Sequence, residues 1–172
     1  MINKQEKLTK VKLKGNESFN IREGWLRKGI RCVQDCPTLF SRDDAMEILG
    51  VGSKMVKSIR YWLRATGLTE ERAPVGRARE QILTEKFGEV VDRYDRYFDD
   101  VFTLFLLHYN IVKNAEGLSV AWDIFFNNYD GQDFTKDNMI EKCKEELNKR
   151  LAEGATFSER LFADDCASIL RM

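Results

Sequence analysis

The 172 residues set 28 Lys and Arg against 28 Asp and Glu, with one His, four Cys, two Pro and 43% apolar side chains. That length is one ordinary domain, or one with a small appendage, and it can hold a core without metal or disulfide; three Trp, five Tyr and eleven Phe exclude wholesale disorder. The longest charge-free apolar stretch, around Val101 to Leu107, is far too short for a membrane span, and Met1 to Lys14 is polar and basic with no signal-peptide core, so a soluble cytosolic protein with no membrane partner is expected.

The zero net charge hides a division. Residues 1–80 hold 17 Lys/Arg and 10 Asp/Glu, a net +7, whereas residues 81–172 hold 11 and 18, a net −7. A basic half gains counterion release on a polyanion, while an acidic half is repelled by it and must face elsewhere. The expected partners are therefore DNA for the basic half and a protein for the acidic half.

In chain order, Met1 to Lys14, with five lysines and no clear period, reads as a flexible basic arm. Trp25, Leu26, Ile30 and Val33 then recur at helical spacing until Pro37 stops the helix. Ser41 with Asp44 three residues on reads as a capping box, with Phe40 stapled onto Ala45, and Gly50 supplies a left-handed stop after Leu49. A second helix is expected from an N-cap at Ser53 to Thr66, ended by Gly67. Two short helices joined by so tight a turn form a helix-turn-helix signature, against which stands Met46, bulky where close helix approach favours a small residue.

At about 100° per residue from Lys54, the apolar Met55, Val56, Ile59, Trp62 and Leu63 fall between about 80° and 200°; Lys54, Lys57, Arg60, Tyr61 and Arg64 fall between about 240° and 360°. A recognition helix needs this opposition, because one face packs on its partner helix while the other offers donors to base edges and phosphates. No acidic residue lies between Glu47 and Glu70 to repel phosphate. The expected DNA-facing set is Ser53, Lys54, Lys57, Arg60, Tyr61 and Arg64. The alternative is a bundle helix whose solvent face happens to be basic.

Leu68 to Glu71 and Gln81 to Leu83 flank a Pro/Gly turn, which predicts a hairpin, and a hairpin after a recognition helix is a wing. Arg72, Arg77 and Arg79 would crown it and hold the DNA backbone or minor groove. A helix from Thr84 is expected to turn Phe87, Val90, Val91 and Tyr94 inward. Val101 to Val112 is apolar around most of its circumference and predicts the central buried helix of the acidic half. An aromatic-rich segment follows at Val120 to Tyr129. Phe134-Thr135 opens a helix with Met139, Ile140, Cys143, Leu147 and Leu151 on one face, and a last helix runs from Ser158 to an end that looks cut.

Catalytic and metal signatures are thin. Cys32, Cys36, Cys143 and Cys166 lack the spacing of a zinc set and read as reduced thiols. Gly50-Val51-Gly52 lacks the third Gly or Gly-Lys-Ser/Thr ending of a nucleotide loop, no acidic residue is followed two positions later by Lys, and no Gly-x-Ser-x-Gly occurs. His108 sits on the most apolar helix, where a core histidine is the default, and Asp99-Asp100 and Asp164-Asp165 read as helix caps. No catalytic residue, cofactor or metal is expected in this stretch, although an enzyme that nicks or helps modify DNA, completed by residues elsewhere, or an adaptor using the fold as scaffold, would share these features.

Gly15-Asn16-Glu17-Ser18-Phe19, Gly24-Trp25-Leu26-Arg27-Lys28, the run from Leu49-Gly50-Val51-Gly52-Ser53 through Ile59-Arg60-Tyr61-Trp62, Leu83-Thr84 with Gly88, and Thr103-Leu104-Phe105-Leu106-Leu107-His108 together resemble one bacterial group. It is the domain-of-unknown-function family numbered four thousand and seven, found in DNA phosphorothioation and phage-defence loci; the likeness covers Lys14 to Met172. Members usually carry His at the position of Asn16. The resemblance implies a winged helix-turn-helix followed by helices, serving sulfur modification of the DNA backbone by sensing or handling DNA. A soft contact for such a sulfur is expected at Tyr61 beside Lys57. The expected architecture is mainly α: a flexible arm over 1–14, a winged helix-turn-helix domain over 15–98 and an acidic helical region over 99–172.

Overall fold

A computed structural model describes residues 7–22, 24–114, 117–131 and 134–171; the first part of the expected arm, residues 1–6, lies outside them. The first helix, α1 (Trp25–Asp35), buries Trp25, Leu26, Gly29, Ile30 and Val33 along one face, as their spacing requires. A single 3-10 turn, Leu39–Ser41, leads into α2 (Ala45–Leu49), and Gly50, in the left-handed region at φ 58°, turns the chain into α3 (Ser53–Ala65).

The helix starts differ from the sequence expectation. Ser41 does not cap α2: it already belongs to the 3-10 turn, and its hydroxyl donates to the Arg79 carbonyl at 2.9 Å. Asp44 precedes α2 instead, its carboxylate taken by the Arg42 guanidinium. Gly52, not Ser53, holds the cap position of α3. Met46 points to solvent while the small Ala45 is buried, so the bulky residue does not obstruct the helix pair.

Strands β1 (Thr69–Arg72) and β2 (Glu80–Leu83) form the predicted antiparallel hairpin, with Thr69 opposite Leu83 and Arg72 opposite Glu80. The Gln81 N–H donates to the Pro37 carbonyl at 2.8 Å, which ties β2 to the segment after α1. Helix α4 (Gly88–Tyr94) begins later than Thr84 because Thr84 is spent on a junction. Its hydroxyl donates to the Gly67 carbonyl at 2.7 Å and accepts the Gly88 N–H at 2.8 Å. The backbones meet so closely there that a Cβ on Gly88 would lie 2.0 Å from the Leu68 carbonyl oxygen. With that start, Val91 alone of the four expected residues is buried; Val90 and Tyr94 face outward and Phe87 is half-buried.

Four helices follow: α5 (Val101–Val112), α6 (Val120–Asn128), α7 (Lys136–Arg150) and α8 (Glu159–Ile169). Thr135 and Ser158 cap α7 and α8 by accepting from the Asn138 and Leu161 N–H groups, and Met139, Cys143 and Leu147 form the buried stripe of α7. Helix α5 departs most from expectation. It is not enclosed: Thr103, Leu107 and Ile111 face inward, while Val101, Phe102, Phe105 and Tyr109 face out.

The main core runs from Trp25 and Ile59 to Phe162 and Cys166, with Trp62 of α3 edge-on to Trp122 of α6 at 5.8 Å between ring centroids, and Leu39, Ala45, Leu49 and Val56 form a smaller cluster under α2. Buried residues on both sides of the change of composition near Phe98 thus touch, Trp62 and Trp122 among them. The described end of the basic arm is also docked: Leu8 bridges to Leu151, donating to the Arg150 carbonyl at 2.8 Å and accepting from Ala152 at 2.9 Å, while Val11 and Leu13 pack on the core. The fold is mainly helical with one small two-stranded antiparallel sheet. Among the described residues no helix is long and apolar enough to cross a membrane.

Candidate nucleic-acid interface

Helix α3 is held from behind and open at its N-terminal end. Ile59, Trp62, Leu63 and Ala65 are fully buried, whereas Ser53, Lys54 and Lys57 are exposed. The nearest acid to Lys57 is Glu17, 3.9 Å away, and the Lys57 side chain remains two-thirds exposed, so the pair contributes little and leaves the ammonium available.

Further along α3 the basic face is occupied. Arg60 Nε donates to Glu71 Oε1 at 2.6 Å, and Arg64 Nη1 lies 3.2 Å from the same oxygen. Both guanidinium groups are largely covered. One β1 carboxylate thus clamps two α3 arginines, which fixes the hairpin against the helix. Both residues lie on the face that the helical angles assign to them, yet they serve as positioning residues for the hairpin rather than as open cations.

Tyr61 is corrected outright. Grouped by angle with the cations, it is 8% exposed. Its hydroxyl donates to the Leu118 carbonyl at 3.1 Å and its ring stands edge-on to Trp62 at 4.9 Å. Gly15 lies on the ring so closely that a Cβ there would be 2.4 Å from Cδ2. Burial, and then the charge of Asp165, push the phenol's pKa far up, so it stays neutral. It offers no surface to a groove or to a sulfur-substituted phosphate.

What covers Tyr61 is the loop 14–18, which helical angles cannot foresee. Lys14, Glu17 and Ser18 all hold positive φ, at 57°, 49° and 66°, conformations that non-glycine residues keep only where their surroundings fix them. The fixings are present. Asn16, buried, accepts from the Ser18 N–H at 3.1 Å and donates to Ser168 Oγ at 3.4 Å. The Phe19 carbonyl accepts from Trp62 Nε1 at 2.9 Å and Ser58 Oγ at 3.4 Å. The Lys14 N–H donates to Asp165 at 2.8 Å, and burial pushes the Asp165 carboxyl up to about 6 in spite of that bond. Asp165 is therefore a packed anchor for the loop, not the helix cap its position suggested.

The hairpin tip is open as well. Arg77 and Arg79 are exposed, and the Ser41 bond to the Arg79 carbonyl anchors that arm of the hairpin. Arg72 is exposed but lies 3.0 Å from Glu70. Of the nine residues expected from the sequence, Ser53, Lys54, Lys57, Arg72, Arg77 and Arg79 are on the surface, Arg60 and Arg64 are tied to Glu71, and Tyr61 is inside.

The other candidate centres stay quiet. His108 packs edge-on to Phe126 at 4.5 Å, and burial lowers its pKa, favouring the neutral imidazole. The four cysteines are free, Cys143 and Cys166 fully buried. Among the described residues no group of three or more His, Cys, Asp or Glu side chains is placed to hold a metal.

This is a mainly helical chain with one small two-stranded antiparallel sheet. Residues 13–172 match the family model described as "Protein of unknown function (DUF4007)", and the chain belongs to that family. Among solved structures it is similar to one titled "Magnesium ion-bound SspB crystal structure", at 28% identity and TM-score 0.79 over 94% of this chain and 48% of that one. It is also similar to "SspB crystal structure", at 29% identity and TM-score 0.78 over 94% of this chain and 49% of that one. The chain thus spans about half the length of these solved chains. No curated protein matches it. The magnesium belongs to the first of those structures.

Proposed function

We propose that this chain is a DNA-binding winged helix-turn-helix module, serving a bacterial DNA phosphorothioation or phage-defence system by sensing or handling DNA. The observation that carries the reading is the open N-terminal end of α3, where Ser53, Lys54 and Lys57 stand exposed while the rest of the helix is packed or clamped. Recognition helices meet base edges through their N-terminal residues, and their C-terminal parts are held by the domain. The hairpin supports the same reading: Glu71 fixes it against α3 and its tip carries Arg77 and Arg79, placed as a wing would be to take phosphates or a minor groove. The link to phosphorothioation and defence rests on the family resemblance.

Lys54, Lys57, Arg72, Arg77 and Arg79 would neutralise up to about five phosphates, so log K should fall against log salt with a slope of about −4. The test is a fluorescence-anisotropy titration with labelled duplexes, with and without one phosphorothioate linkage. Lys54→Glu combined with Lys57→Glu is expected to abolish binding with an unchanged circular dichroism spectrum. Wild-type affinity in that variant would refute the assignment of α3.

A further inference from the structure

Helix α5 carries a broad apolar surface that the fold does not cover. Val101, Phe102, Phe105 and Tyr109 are 63%, 66%, 67% and 58% exposed, and at about 100° per residue they share one arc opposite the inward Thr103, Leu107 and Ile111. Beyond that arc, Leu104 and Phe126 of α6 are also open. Aromatic side chains offer about 150–250 Å² each, so these six residues expose on the order of 700 Å². That exceeds the largest apolar patch of an ordinary monomer and approaches the roughly 800 Å² that each partner gives to a standard interface.

Charge decides what fits. From Val101 to Val112 the helix carries no formal charge once His108 is neutral; Asp99 and Asp100 stand before it and Lys113 directly after it. An antiparallel copy of the same helix inverts that order. With a two-fold axis between Phe105 and Leu106, Phe102 faces the partner's Tyr109, and Asp99 and Asp100 fall beside the partner's Lys113. Each acidic N-terminal end then meets a cationic C-terminal end, and the two helix dipoles run opposed. The apolar centre is closed by charges of the correct sign at both ends, as an isologous interface requires.

We propose that the chain forms a two-fold homodimer through α5, with Phe105 at its centre and Asp99 paired with the partner's Lys113. The proposal does not depend on the nucleic-acid reading. Sedimentation velocity over micromolar concentrations should show a species of about twice the 20.1 kDa of one chain. Phe105→Glu, burying a charge at the centre, should weaken association by about 30-fold or more. Its circular dichroism should stay the same, because the side chain covers little within one copy. Asp99→Lys and Lys113→Glu should each weaken the dimer, and the two together on one chain should restore it, since in a two-fold interface each chain then supplies both reversed partners. These changes sit at exposed helix ends and keep the test available even if Phe105→Glu misfolds. A chain monomeric at every concentration, a dimer indifferent to Phe105→Glu, or no recovery in the double charge reversal would overturn the proposal.

Discussion

Helices α3 and α5 are alike in length and opposite in legibility. Helix α3 is apolar on one side and basic on the other, and that opposition identifies the side that packs: Val56, Ile59, Trp62 and Leu63 are all buried. Helix α5 is apolar all round, and from that pattern alone it reads as enclosed, yet Phe102 and Phe105 face outward as fully as its inner residues face the core. A two-faced pattern specifies an orientation, whereas a one-faced pattern specifies only that apolar surface exists. What a second partner covers looks the same in the sequence as what the chain covers itself.

Substitutions can sharpen that contrast. The largest effect should come from the packed side of α3: Trp62→Ala removes a fully buried ring and its contact with Trp122, and should cost about 3–5 kcal/mol by denaturant unfolding. Arg60→Glu should cost about 1–3 kcal/mol, because it sets a second carboxylate against Glu71 and breaks the clamp on the hairpin. Lys57→Glu, at an exposed position, should leave stability within about 0.5 kcal/mol. Equal stability losses in the two variants would undo the division of the basic face into clamped and open parts.

Asp165 tests the loop that covers Tyr61. Its folded value of about 6 lies above the ordinary carboxylate value of about 4, so the folded chain holds the proton more tightly. Stability should therefore fall as pH rises from about 4 to 6, by about 3 kcal/mol. Asp165→Asn keeps an acceptor for the Lys14 N–H and should flatten that fall, raising the melting temperature at neutral pH. An unchanged pH profile in the variant would show that Asp165 is not the group responsible. The smallest effect belongs to α5: Phe102→Ser should change the unfolding free energy of the dilute monomer by less than about 0.5 kcal/mol.

Much of the fold was readable because local chemistry and packing agree in it. Gly50, the α1 spacing, the hairpin around Pro74 and Gly76, and the Thr135 and Ser158 caps each act over a few residues. The errors arise where distant residues intervene. Ser41 was drawn from its expected cap to the Arg79 carbonyl, 38 residues away, and Tyr61 was enclosed by Gly15 and Leu118. Angles on an isolated helix cannot show that Glu71 reaches back to Arg60 and Arg64, although an acid on the strand expected directly after the helix was the available signal. The Leu83-Thr84 and Gly88 pattern, by contrast, has a local physical cause in the Thr84 junction.

The most direct test of the central claim is an anisotropy titration of a labelled duplex at two salt concentrations, comparing wild type with Lys54→Glu plus Lys57→Glu and with Tyr61→Phe. Salt-sensitive binding is expected that vanishes in the double lysine variant and persists unchanged in Tyr61→Phe, whose lost hydroxyl lies inside the fold. Absence of binding at low salt, or loss of affinity in a stably folded Tyr61→Phe with the lysine variant unaffected, would contradict it.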